Sequence, residues 1–230
     1  MYQILLISIS AILQTNYPSR SNSDKLKIAH GILMVLSWIV FLAIGIIFAR
    51  YFKRFYSDTR ICGTDVWFHV HRALNMVGIV GSVCGFVMIF VANDWRWKGP
   101  TAFQSAECKI HQKGRLIFNW IHRFLGLGAW LCGASAIMIA CVHFNLMFNN
   151  HDAAFGLFLV FLSVSGFTLI AMEFINIKTW WLRRRGTSSE LEVTQFEKPY
   201  ILVVLLIFFV VVAIGCAIAI CTLIGLKPID

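Results

Sequence analysis

A polytopic all-α membrane bundle is the fold this sequence predicts, and three observations predict it. Hydrophobic residues make up 59% of the 230 and charged residues 13%, with a mean hydropathy of +0.75. Those values exclude an ordinary water-soluble domain. Apolar segments long enough to cross a hydrocarbon core of roughly 30 Å recur along the chain, separated by polar stretches. The lysines and arginines behind the net charge of +9 lie in short runs beside these segments. They read as topology determinants and headgroup contacts, so membrane lipid is the partner implied and nucleic acid is not.

The chain divides into four units. In residues 1–27 the apolar run 1–13 is short and ends at a polar stretch, so it reads as a signal-peptide core without a basic n-region. The alternative is a short extra membrane segment. Residues 28–175 hold four spans. The first, Ile28 to Ala49, carries His30 near its start and is followed by Arg50, Lys53 and Arg54. A polar loop, 56–65, leads to the second, Trp67 to Val91, which opens WFHVHRALNM. Residues 92–114 are too charged for a lipid-exposed span. The third span is the run Arg115 to Val142, RLIFNWIHRFLGLGAWLCGASAIMIACV, and the fourth is Ala154 to Ile175. Ser163, Ser165 and Thr168 in the fourth are expected to bond back to their own helix carbonyls. Residues 176–200, with Arg183, Arg184 and Arg185, read as a solvated cytoplasmic loop. Residues 201–230 supply an aliphatic fifth span, an anchor without candidate ligands. Cys62 and Cys108, in the loops flanking the second span, are expected on opposite sides of the membrane. No CxxC or zinc spacing occurs.

Histidines inside lipid carry the chemistry, because an ionisable ring at that depth is costly and marks a function. His122 lies about two turns into the third span, and helical spacing from it meets Gly126, Ala129, Gly133 and Ala136, a bare face against which something flat could lie. His71 has a similar face through Asn75, Gly78, Ser82 and Gly85. His69 points about 200° away from His71, so only one of the two can face a given site. His30 is followed by the less roomy Met34, Ser37 and Phe41. Small residues also let neighbouring helices approach, which is the competing account of both glycine faces. Three intramembrane histidines on three spans suggest a planar cofactor held by imidazoles, and haem b fits. Each ligating ring needs its other nitrogen bonded. Asn75 and Asn119, one turn from His71 and His122, are placed to help. Arg72 and Arg123 directly follow those histidines and could pair with propionates or snorkel to headgroups.

The runs AHGILMVLSW with ARYFK after it, WFHVHRALNM and RLIFNWIHRFLG resemble successive motifs of the cytochrome b561 domain of DOMON-linked ferric-chelate reductases, over about residues 28–175. The resemblance implies a six-helix bundle with two haems b held by four histidines, in a plasma membrane or endomembrane. It implies a haem-dependent oxidoreductase that moves electrons from a donor such as ascorbate to a ferric iron chelate or monodehydroascorbate, as a homo- or hetero-dimer or alone. His30, His71 and His122 match the first, second and fourth family ligands.

Between WFHVHR and FNWIHR the family has a further histidine-bearing helix, where this chain has only polar residues 92–114. One haem is therefore expected, at His71 and His122, with His30 lacking its partner, and no DOMON domain is expected upstream. Losing one helix also changes parity. Simple alternation of five spans from an outside N-terminus would put His71 at one face and both His30 and His122 at the other, leaving open which histidine pairs with His122. It would also leave most loop lysines and arginines outside, against the positive-inside tendency. A family-like layout keeps the Arg50 and Arg183 loops inside but needs residues 92–114 to cross the bilayer. The rival from another class is a catalytically silent homologue acting as partner or regulator.

Overall fold

The computed structural model describes residues 21–53, 60–96, 115–144, 147–185 and 188–225. Met1–Leu13, His111 and Cys108 lie outside them. Among the described residues, five helices are long and apolar enough to cross a membrane, the outcome that backbone groups in lipid dictate, since only intrahelical bonds satisfy them there.

The first helix, α1 (Asn22–Tyr51), starts before the predicted Ile28 because Ser21 caps it. The Ser21 hydroxyl accepts the Asp24 amide at 3.2 Å, and Lys27 reaches Asp24 at 3.3 Å. Its middle, Leu36–Leu42, is a π-helical stretch. The loop after α1 contains a hairpin, β1 (Arg60–Ile61) with β2 (Thr64–Asp65), turning at Cys62 and Gly63 with φ of 50° and 77°. Positive φ at both central residues is what a tight right-twisted hairpin requires. Then come α2 (Val66–Ala92), α3 (Arg115–His143), α4 (His151–Arg185) and α5 (Ser188–Gly225).

Two expectations are corrected here. Residues 176–200 are not an extended loop: α4 runs on to Arg185 and α5 begins at Ser188. Arg, Leu, Glu and Lys are good helix formers, so a helix entering water from lipid need not stop at the interface. In α4, Ser165 does bond back, its Oγ donating to Phe161 O at 2.7 Å, whereas the buried Thr168 hydroxyl has no hydrogen-bond partner.

The core forms where α1, α4 and α5 meet, around Ile39, Phe158, Phe161, Met172, Phe209 and Ile220. α2 packs along α1, and α3 leans on α4 and on the π stretch. Much of α2 and α3 is apolar and exposed, for example Val80, Val83, Phe124 and Leu125. In hydrocarbon such faces need no cover.

Helix directions decide the site. α1 and α2 are antiparallel, with Ser23 Oγ donating to Ala92 O at 2.9 Å where α1 starts and α2 ends. α3 is parallel to α2: the starts of α2 and α3 meet at the C-terminal end of α1, and Gly133, further along α3, touches Trp38 in mid-α1. Simple alternation of five spans is therefore wrong for this fold. Ala92 and Arg115 lie at opposite ends of the bundle, as a family-like layout demands.

Candidate functional site

His71 stands in the second turn of α2 and His122 in the third turn of α3. Their ring centroids are 6.3 Å apart with planes at 86°. A metal midway would be about 3.2 Å from each centroid, and an imidazole nitrogen about 2.0 Å from a metal with about 1.1 Å to its ring centre gives nearly the same figure. The separation therefore suits two imidazoles sharing one iron.

Two contacts bear on the tautomer of His71. Nδ1 lies 3.0 Å from Gly45 O, near the C-terminal end of α1. A carbonyl can only accept, so the Gly45 contact calls for a proton on Nδ1 and a lone pair on Nε2, whereas a bond from the Asn75 amide nitrogen, which can only donate, calls for the reverse. Asn75 holds this corner: its Nδ2 donates to His71 O at 2.7 Å and lies 2.9 Å from His71 Nδ1. A Cβ on Gly45 would stand 2.7 Å from that amide nitrogen, so only glycine lets its carbonyl come this close.

His30 repeats half of this arrangement at the other end of α1. Its Nδ1 lies 2.8 Å from Gly85 O, which leaves Nε2 as the nitrogen without a proton. No imidazole stands in ring contact with it among the described residues. His69 turns the other way, as the 200° argument required. Its Nε2 approaches Thr64 Oγ1 at 2.6 Å and Ile61 O at 2.8 Å, and so pins the hairpin to α2.

The remaining candidates sort as follows. Arg72 is exposed over the Phe68 ring at 5.7 Å, and its NH2 lies 3.4 Å from His69 Nδ1. Arg123 is exposed beside His122. The Asn119 side chain lies outside what the structure describes.

The two bare faces have different fates. Gly78, Gly81 and Gly85 do not border an open slot, because α1 fills the space: an added Cβ would meet Leu42 at 2.8 Å, Ser37 at 2.5 Å and Met34 at 3.3 Å. On α2 the reading of the small residues as a seat for a flat group is overturned in favour of helix packing. On α3 the face is split. Gly133 is packed against the Trp38 indole, whereas Gly126, one turn beyond His122, has nothing within 4 Å of where a Cβ would stand. A shallow apolar groove of about 440 Å³, lined by Leu33, Met76, Val77, Val80, Gly81 and Cys84, runs beside α2.

Sequence reasoning missed the two accepting carbonyls and the π stretch. A small residue among bulky ones in a membrane helix marks where a neighbouring helix can come close, and Gly45 in IGIIFARY is one.

Comparison with known proteins places the motifs. The chain is 29% identical over 136 residues to mouse ferric-chelate reductase 1, covering 52% of this chain and 23% of that protein. It is 43% identical over 72 residues to a putative ferric-chelate reductase 1 homologue of Drosophila melanogaster, 31% of this chain and 11% of the relative. Over 174 residues it is 22% identical to a cytochrome b561 and DOMON domain-containing protein of Arabidopsis thaliana, covering 68% of this chain and 45% of the plant protein. The chain thus spans 23% of the mouse reductase's length. No family model and no solved structure matches it.

Proposed function

We propose that this chain, similar over about half its length to ferric-chelate reductase 1 of mouse and over 174 residues to a cytochrome b561 and DOMON domain-containing protein, is a b-type haem protein of membrane electron transfer, with His71 and His122 as the axial ligands of one haem. The observation that carries this reading is the 6.3 Å between those two rings, with His71 Nδ1 tied to Gly45 O. Haem with both axial positions filled passes single electrons and leaves no open site for oxygen chemistry.

This chain's own residues supply the rest. With the Nδ1 proton given to the Gly45 carbonyl, His71 would offer Nε2 to the metal, and that bond would raise its basicity. Asn75 keeps the ring from rotating. Gly126 leaves room beside His122 for a flat group, and Arg72 and Arg123 offer guanidinium groups to propionates.

Among residues whose side chains are described, the basic ones at this end of the bundle are Arg50, Lys53, Arg60, Arg72, Arg123, Lys178 and Arg184, against Lys25, Lys27 and Arg96 at the other. By the positive-inside tendency the His71–His122 end faces the cytoplasm. The donor, a reductant such as ascorbate, then meets the haem from that side, and a ferric chelate or monodehydroascorbate is the acceptor.

The test is the absorption spectrum of the purified, dithionite-reduced protein. Low-spin bis-histidine haem, with a sharp alpha band and about one haem per chain, is the expected result. A protein without haem when expressed with haem supply sinks the proposal. His30, with no second imidazole in contact among the described residues, favours a second reading: a partner subunit that works with a complete homologue. Isolated one-haem protein that fails to reduce ferric chelate but binds such a homologue would support it.

A further inference from the structure

α1 and α2 grip each other by a reciprocal pair of contacts. His30, early in α1, bonds Gly85 O late in α2 at 2.8 Å, and His71, early in α2, bonds Gly45 O late in α1 at 3.0 Å. The two crossings look alike, yet their spacings differ: fourteen residues separate His71 from Gly85, and fifteen separate His30 from Gly45. α2 is regular α-helix throughout. At about 100° per residue, fourteen residues bring the later position within about 40° of the earlier one, on one side. Fifteen residues would bring it about 60° to the other side, a swing of about 100°, and Gly45 O would turn away from His71.

The seven residues Leu36–Leu42, which lie between His30 and Gly45, are π-helical. A single wide turn accommodates one surplus residue and leaves the flanking α-helices in the phase they would have without it. The same seven residues make the contacts that hold α1 between the ligand-bearing helices. Leu42 and Phe41 fill the space at Gly78, Ser37 the space at Gly81, and Trp38 packs on Gly133 of α3.

We infer that the π stretch Leu36–Leu42 is a register device: it absorbs the fifteenth residue so that the Gly45 carbonyl meets His71 while His30 still meets Gly85. The stretch acts on the proposed haem site through Gly45 and is therefore a positioning element. It rests on that reading only for its consequence for haem.

The inference predicts an asymmetry. Deleting Ile39 returns α1 to an unbroken α-helix with fourteen residues between His30 and Gly45, so both crossings survive. Inserting an alanine after Ile39 rotates Gly45 by about 100° and breaks only the second crossing. The test uses the full chain in membranes, with the native cysteines replaced, and two cysteine pairs. L33C with G85C reports the first crossing, since Leu33 Cβ lies 3.5 Å from a Cβ built on Gly85, within disulfide range. G45C with N75C reports the second.

The first link is expected in the unaltered, deletion and insertion proteins alike. The second is expected in the unaltered and deletion proteins and to fall at least about fivefold in the insertion protein. Without the cysteine pairs, the deletion protein should keep haem within about twofold and show an unchanged alpha band, while the insertion protein loses about tenfold or more of its haem. A deletion protein that loses either link, or an insertion protein that keeps the second, overturns the inference. If the unaltered protein holds no haem, the functional reading fails, and the links still decide the register question.

Discussion

The two ends of α1 present the same half-site, and among the described residues only one of them meets a second imidazole. At each end a histidine of one helix bonds the backbone carbonyl of a glycine in the other, His30 to Gly85 and His71 to Gly45. At the His71 end a second imidazole, His122, stands 6.3 Å away. At the His30 end no second ring is in contact among the described residues. Two helices can thus hold a half-buried histidine against a glycine carbonyl without bringing a second imidazole to it. What makes the difference is the third helix: α3 starts at the His71 end, so the histidine in its third turn stands beside His71.

The largest effects should come from breaking that contrast. H71A and H122A should each abolish haem binding, while H30A should leave it within about twofold, because a lost axial ligand cannot be replaced from an apolar surround. Haem per chain by pyridine haemochromogen assay checks this. Equal loss in all three variants would mean that the ends are not distinct.

G126L comes next. Its side chain would enter open space beside His122, so thermal stability should hold while haem occupancy falls about tenfold or more by occlusion of the seat. If occupancy is unchanged, the space beside Gly126 belongs to lipid and not to a cofactor. G133L should behave oppositely, since its side chain must displace the Trp38 indole. A cost of about 1–3 kcal/mol is expected from overpacking, read as a lower melting temperature in detergent.

Subtler changes at the two carbonyls sharpen the comparison. G45A forces a methyl group to within 2.7 Å of an Asn75 nitrogen already bonded to His71 O. G85A meets the flexible end of Met34 at 3.3 Å. G45A should therefore lower haem affinity about 10-fold or more, the range for losing an outer-shell partner, and G85A should not. Haem titration of the apoprotein separates them, and equal effects would mean that the Gly45 carbonyl does not orient a ligand.

Much of the bundle was legible because lipid imposes simple rules. The five spans, the opposed directions of His69 and His71, and the aliphatic last helix follow from hydropathy and helical periodicity. The glycines were ambiguous for a physical reason: a small residue looks the same whether it admits a neighbouring helix or a flat ligand. Of the glycines on the two histidine faces, Gly78, Gly81, Gly85 and Gly133 turned out to admit helices and Gly126 faces open space, as Gly128 does beside it. The π stretch was illegible, since LSWIVFL fits a regular helix as well as a wide one. The direction of α3 was hidden too, because hydropathy counts spans but does not orient them. The helical run of α4 past Glu173 was missed because charge was taken as a sign of loop.

The smallest effect expected is at the membrane edge, where α1 and α4 meet beside the completed end. Arg50 reaches Glu173 at 2.9 Å, and the Tyr51 hydroxyl donates to the other Glu173 oxygen at 3.1 Å. The network resembles a lock, but its charged side chains are 49% and 38% exposed. An ion pair open to solvent contributes about 0–1 kcal/mol and weakens with salt. E173Q keeps the shape and the hydrogen bond from Tyr51 while removing the charge. It should lower the melting temperature by no more than a few degrees and leave the haem spectrum unchanged, because α4 carries none of the proposed ligands. A marked spectral change in E173Q would instead tie this edge to the His71–His122 end and make the contrast between the two ends one of four helices, not three.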